Sequence, residues 1–270
     1  MKSEELKEVC RRVRRDIVTS VCAAKSGHPG GSLSAVEIMT ALYFEKMNIN
    51  PKEPKMAERD RFVLSKGHAA PVLYSVLAER GFFDVAELQN LRKMHSFLQG
   101  HPDAKKIPGV DASTGSLGQG ASIAVGMALG AKLSGSGVQV YTLCGDGEIQ
   151  EGLVWEAAEA AAHYRLDNLT VIVDNNGLQI DGPNSAVMDV GDIAAKYAAF
   201  GFETLSVADG NDIEQVLAAL NQPRTAGKPR MILCHTVKGK GISFMENQVG
   251  WHGKAPSAEQ CAQALKELEG

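Results

Sequence analysis

Two short runs constrain the fold of this chain more than any others: LTVIVD (169–174) and RMILC (230–234). Both are almost continuously apolar, the pattern of strands covered on both faces. From position 120 onward, such strands alternate with helical stretches. Helices are expected at 121–133, 152–164, 193–200 and 212–220, and strands at 139–144, 169–174, 203–207 and 230–234. This alternation predicts an α/β fold: a doubly wound, mainly parallel sheet flanked by helices, with right-handed crossovers.

The first third is less regular. Leu6, Val9, Val13, Ile17 and Val21 recur at helical spacing, so 3–25 reads as a helix, with Ser3 as its cap and Glu4 and Glu5 at its positive end. SGHPGGS then reads as a turn, 34–46 as a second helix, and RFVLSKGHAA as a strand ending at Ser65 before a helix from Ala69. Segment 96–122 carries too much Gly, Pro and Asp for a regular element. A long ordered loop inside a compact domain is usually functional. The last helix is expected at 258–268.

A chain of 270 residues with 44% hydrophobic and 22% charged residues suits one large α/β domain with ample core. A net charge of −4 gives no electrostatic case for nucleic acid. The charged N-terminus resembles neither a signal peptide nor a membrane span. Cysteines at 10, 22, 144, 234 and 261 form no C-x-x-C pair, and read as free thiols in a reducing cytoplasm.

In parallel sheets, ligands bind beyond the carboxyl ends of the strands. LCGDGEIQEG (143–152) and VIVDNNGLQIDG (171–182) both sit at such ends, and 27 residues, one helix plus one strand, separate Gly147 from Asn175. If the two strands are neighbours, both turns converge on one point. Asp146 then offers a carboxylate, Asn176 an amide oxygen, and the following turn main-chain carbonyls. Hard oxygen donors of this kind suit Mg²⁺ or Ca²⁺, with Mg²⁺ completing its shell from phosphate and water. The glycines let backbone approach a diphosphate, and the N-terminus of the helix from 152 favours its charge. Either motif alone reads more readily as a tight turn; it is the pair, one βα unit apart, that points to a ligand.

GDGEIQEG followed by NNGLQIDG resembles the diphosphate-binding fingerprint of thiamine-diphosphate enzymes. SGHPGGS, LSKGHAAP, QGHPD, IPGVDASTGSLGQG and WHGKAPS are similar, block by block, to transketolases, from the first helix to the last residues. The resemblance implies thiamine diphosphate as cofactor with Mg²⁺, for which Ca²⁺ or Mn²⁺ substitutes. Asp146, Asn176 and the carbonyl of Leu178 would bind the metal, and the Gly147 N–H the diphosphate. Gly115 and Leu117 would hold the aminopyrimidine, with Ile180 near the thiazolium. His68 and His252 would reach the diphosphate, while His28 and His101 would bind sugar hydroxyls. Lys66 and Lys254 flank these histidines as further contacts, with plain solvation the equal alternative. Glu151 would lie where two active sites face one another across a subunit interface, whereas Glu148 matches no family role and reads as solvated.

The family's catalytic glutamate belongs to a second, pyrimidine-binding domain, which is expected on a separate chain. Residues 1–270 then form a single diphosphate-binding domain, the N-terminal subunit of a split transketolase. With the C-terminal subunit, in an expected α₂β₂ assembly with a large obligate interface, it would move a two-carbon ketol unit from a ketose phosphate to an aldose phosphate. The α subunit of a 2-oxo acid dehydrogenase shares the GDG…NN pair but has no reason to carry SGHPG and WHGKAP. A 1-deoxyxylulose-phosphate synthase matches the loops less well. A non-catalytic binding module would have no need of all four loop histidines. No G-x-G-x-x-G follows the first strand, which disfavours a dinucleotide-dependent dehydrogenase.

Overall fold

The computed structural model describes residues 1–269. Its strands are β1 (Arg61–Leu64), β2 (Val140–Gly145), β3 (Leu169–Asn175), β4 (Leu178–Gln179), β5 (Gly182–Pro183), β6 (Glu203–Val207) and β7 (Arg230–His235). The α-helices are α1 (Ser3–Ala24), α2 (Pro29–Leu33), α3 (Val36–Ala41), α4 (Ala70–Arg80), α5 (Gln119–Leu133), α6 (Gly152–His163), α7 (Asn184–Val187), α8 (Ile193–Ala199), α9 (Ile213–Leu220) and α10 (Ala258–Glu267). Five strands form one wholly parallel sheet in the order β1-β2-β3-β7-β6, and β4 and β5 pair as a small antiparallel hairpin.

Alternate side chains of the central strands enter two cores, one on each face. Tyr141, Leu143, Ile172, Ile232 and Cys234 pack beneath α1–α4, α9 and α10. Val140, Cys144, Val171, Val173, Met231 and Leu233 pack beneath α5, α6 and α8. This is why the strands lack a polar face, and each large side chain so buried stabilises the fold by about 1.5–3 kcal/mol. The doubly wound sheet expected from the alternation is the one observed.

Departures from the expected elements have local causes. Pro29 starts α2 inside the expected turn, where its fixed φ and missing N–H suit a first helical position. The helix expected at 34–46 is divided into α3 and a π-helical turn at Leu42–Lys46. Ser3 is the first residue of α1 rather than its cap. Its hydroxyl donates to Glu214, and the Glu5 carboxylate accepts the Lys2 N–H at 3.0 Å.

The reading of five free thiols is corrected for two of them. Cys10, Cys144 and Cys234 are free and buried, but Cys22 at the end of α1 is joined to Cys261 in α10. A separation of 239 residues leaves no local signature of that pairing. Closing so long a loop restricts the unfolded chain, so Cys22→Ser is expected to lower unfolding stability by about 2–5 kcal/mol under non-reducing conditions. A urea midpoint that is unchanged by the substitution would count against the bond.

Candidate active site

Four neighbouring strands end at one place. β1 runs into Ser65 and Lys66, β2 into Asp146, β3 into Asn176, and β7 into Thr236 and Lys238. Gly145 pairs with Asp174 and Asp174 with Cys234, so these ends lie level. The neighbouring-strand condition for convergence is therefore met. A cavity of about 370 Å³ opens there, with Asp146, Gly147, Asn176, Leu178, His28, His68 and His252 on its walls.

The centre of this arrangement carries no sequence signal beyond the end of a strand. Asp174 is completely buried. Its carboxylate accepts the Ser34 hydroxyl at 2.6 Å and the Asn176 amide at 3.3 Å, and also bonds Lys66 and Thr236. Burial works against its charge, but the Lys66 ammonium and the hydroxyl donors outweigh it and hold the carboxyl below its usual range. Lys66, only 2% exposed, also donates to the Gly31 carbonyl at 2.7 Å. Solvation is thus excluded for Lys66.

Asp146 has no such cationic partner in contact. Its carboxylate accepts the N–H groups of Gly147 at 2.8 Å and Gly177 at 2.5 Å. Burial, then the nearby Asp174 charge, pushes it up to about 6. Asn176 Oδ1 accepts the Leu178 N–H at 3.2 Å, which orients the amide. Lys238 donates to the Leu178 carbonyl at 2.9 Å and to His252 Nδ1 at 2.9 Å. Burial, then Lys66, pulls this lysine down to about 8. A divalent cation fits this set: a buried, reluctant carboxylate gains a counter-charge, and an amide and a carbonyl oxygen stand beside it. No cluster of three His, Cys, Asp or Glu occurs among the described residues, so a cation here would take further oxygens from its ligand.

The histidines divide as the loops do. The rings of His28, His68 and His252 lie within 5.1–5.7 Å of one another, centre to centre. Burial lowers all three, His28 to about 4 and His252 to about 3, with Arg92 acting next on His28, Lys66 on His68 and Lys238 on His252. They are neutral imidazoles at pH 7. The bond from Lys238 puts the His252 proton on Nε2, while His28 Nδ1 is buried with no partner among the described residues. His101 is more exposed and stands behind Gly115: a Cβ there would lie 3.0 Å from its ring, and the Gly115 φ of +150° is one that few other residues adopt.

Leu117 and Glu151 line the cavity, and Ile180 is 67% exposed at its edge. Lys254 is not brought in; it is exposed, with its ammonium 5.5 Å above the Trp251 ring. The lysine that sequence reasoning misses is Lys238, whose only signal is its place in HTVKGKG just beyond a strand. Glu148 is also corrected: it is 3% exposed, not solvated, and accepts bonds from Ser65, Gly118 and Gly145.

Comparison with known proteins agrees with this geometry. Residues 5–269 match the family described as transketolase, thiamine diphosphate binding domain. The chain is 40% identical to one subunit of the apulose-4-phosphate transketolase of Phocaeicola vulgatus, covering 99% of this chain and 95% of that one. It is 44% identical to the 6-deoxy-6-sulfo-D-fructose transketolase subunit of a Clostridium species, covering 90% and 88%. The solved transketolase of Campylobacter jejuni superposes with a TM-score of 0.93 at 35% identity, over all of this chain but 43% of that one. With its cofactor-type cavity at the ends of a doubly wound sheet, this chain belongs to the transketolase family, as a thiamine-diphosphate-binding domain.

Proposed function

We propose that this chain is the diphosphate-binding subunit of a two-chain transketolase, acting with a partner subunit that carries the pyrimidine-binding domain, in an α₂β₂ assembly. The observation that carries this reading is the convergence of Asp146, Asn176, Lys66, Lys238 and three histidines on one cavity, together with a match over 95% and 88% of two relatives named as transketolase subunits. The family match favours it over a 2-oxo acid dehydrogenase subunit.

In this reading Asp146, Asn176 and the Leu178 carbonyl hold Mg²⁺, and the Gly147 N–H, His68, His252 and Lys238 receive the diphosphate. Gly115 and Leu117 hold the aminopyrimidine. When bound, thiamine diphosphate supplies an electron sink at the carbon–carbon bond to be cleaved. The chain's own residues bind and orient. Neutral His28 and His101 exchange hydrogen bonds or protons with sugar hydroxyls, with the free His28 Nδ1 a ready partner. Glu151, at the start of α6, meets the second active site across the subunit interface. Lys254 takes no part unless assembly moves it. The donor is a ketose phosphate or a related acidic ketose, since relatives are named for apulose-4-phosphate and a sulfonated fructose. Such an enzyme would act in the cytoplasm, in the pentose phosphate pathway; no described helix is long and apolar enough to cross a membrane.

Purified alone with thiamine diphosphate and Mg²⁺, the chain is expected to give no ketol transfer, and to gain it on mixing with its partner subunit. Appreciable turnover by the isolated chain would sink the two-chain reading.

A further inference from the structure

Resting on the reading that this cavity holds thiamine diphosphate with a divalent metal, we propose that Glu148 is a positioning residue that sets the mutual placement of the three loops around the cofactor. Its two oxygens are shared among donors from three segments. One accepts the Ser65 hydroxyl at 2.5 Å and the Gly118 N–H at 2.9 Å; the other accepts the Gly145 N–H at 2.9 Å. Each donor is the immediate neighbour of a residue lining the cavity: Ser65 of Lys66, Gly118 of Leu117, and Gly145 of Asp146. A single carboxylate therefore ties the site lysine, the loop facing the aminopyrimidine and the metal-binding turn to one reference point.

The loops it joins are already in close contact. A Cβ on Gly120 would lie 2.5 Å from Ser65 Cα, and one on Gly67 would lie 2.7 Å from the Gly115 nitrogen. Backbone packed this closely transmits a small displacement directly to Lys66 and Leu117. The chemistry demands a carboxylate rather than an amide. All three partners are donors in this arrangement, and an ionised carboxylate is acceptor-only, with lone pairs for each. Glutamine would turn an NH₂ group toward at least one N–H. Nor is Glu148 one half of an ion pair, because Lys66 gives its bonds to Asp174 and Gly31. Burying a carboxylate without an ion-pair partner in contact is costly; the three donors, with the nearby Lys66 charge, offset that cost, and the same bonds align three loops.

The test uses the chain assembled with its partner subunit, titrated calorimetrically with thiamine diphosphate at fixed Mg²⁺. Glu148→Gln is expected to weaken cofactor affinity roughly 10- to 100-fold, as loss of outer-shell support does at metal sites. Turnover at saturating cofactor should fall by a smaller factor. Ser65→Ala, which removes one of the three contacts and keeps the charge, should weaken affinity by an intermediate factor. It also keeps the test decisive if Glu148→Gln does not assemble. Cofactor affinity equal to wild type in the assembled variants overturns the inference. So does an affinity loss matched by an equal free-energy loss in the stability of the cofactor-free enzyme. If the wild-type assembly itself binds no thiamine diphosphate, the functional reading falls first, and this inference with it.

Discussion

Replacing Asp146 with Ala is expected to abolish the metal dependence of thiamine diphosphate binding while the fold survives. The Asp146 carboxylate is 2% exposed, and burial and Asp174 raise it to about 6. In the absence of a cation it is therefore an ill-placed charge, and little fold stability rests on its ionised form. Its value lies in what it can offer a divalent ion. Asn176 and the Leu178 carbonyl bring no formal charge, so Asp146 is the only anionic protein donor of the proposed set. Truncating one member of a buried charge pair costs about 2–5 kcal/mol, or roughly 30-fold to several thousand-fold in affinity. Calorimetric titration of the assembled enzyme with the cofactor, with Mg²⁺ and with a chelator, separates the outcomes. The variant should bind weakly and identically in both. An affinity that still rises with Mg²⁺ to the wild-type level would refute the metal assignment.

What could be read from sequence followed from periodicity and turn chemistry. LTVIVD and RMILC are apolar on both faces because the sheet has a core on each side, so fold class and strand boundaries were legible to within a residue or so. GDG and NNG were legible as a pair because one helix and one strand separate them and parallel neighbours end level. Burial of polar groups was not legible. Asp174 looks like the last residue of a strand, Glu148 like a surface acid in a loop, and Lys238 like one of several scattered lysines. Their roles depend on Ser34 and Thr236 for Asp174, on Ser65 and Gly118 for Glu148, and on the Leu178 carbonyl and His252 for Lys238, groups that mostly come from distant segments. Local pattern carries no record of such partners. The bond between Cys22 and Cys261 was hidden for the same reason.

Asp174→Ala should be the most destabilising single change at the site. It leaves Lys66, 2% exposed, with its ammonium facing only the Gly31 carbonyl, removes the carboxylate acceptor of the Thr236 hydroxyl, and leaves the Ser34 hydroxyl with the Gly31 carbonyl at 3.2 Å alone. Breaking a buried pair from one side costs about 3–5 kcal/mol, because the surviving charge is left uncompensated. Urea unfolding of the chain should show a loss of that order. The second variant decides why. Lys66→Met with Asp174→Ala removes both charges, and should recover most of the lost stability, since a buried ion pair as a whole gains little over apolar packing. Cofactor affinity should not recover with it, because Lys66 and the Asn176 amide, which Asp174 anchors at 3.3 Å, both face the cavity. That split between restored stability and unrestored binding is what a site-ordering pair predicts. A single variant that loses less than about 1 kcal/mol would show that water or a neighbouring group compensates Lys66. A double variant as unstable as the single one would show that the hydroxyl contacts, and not the charges, hold the strand ends together.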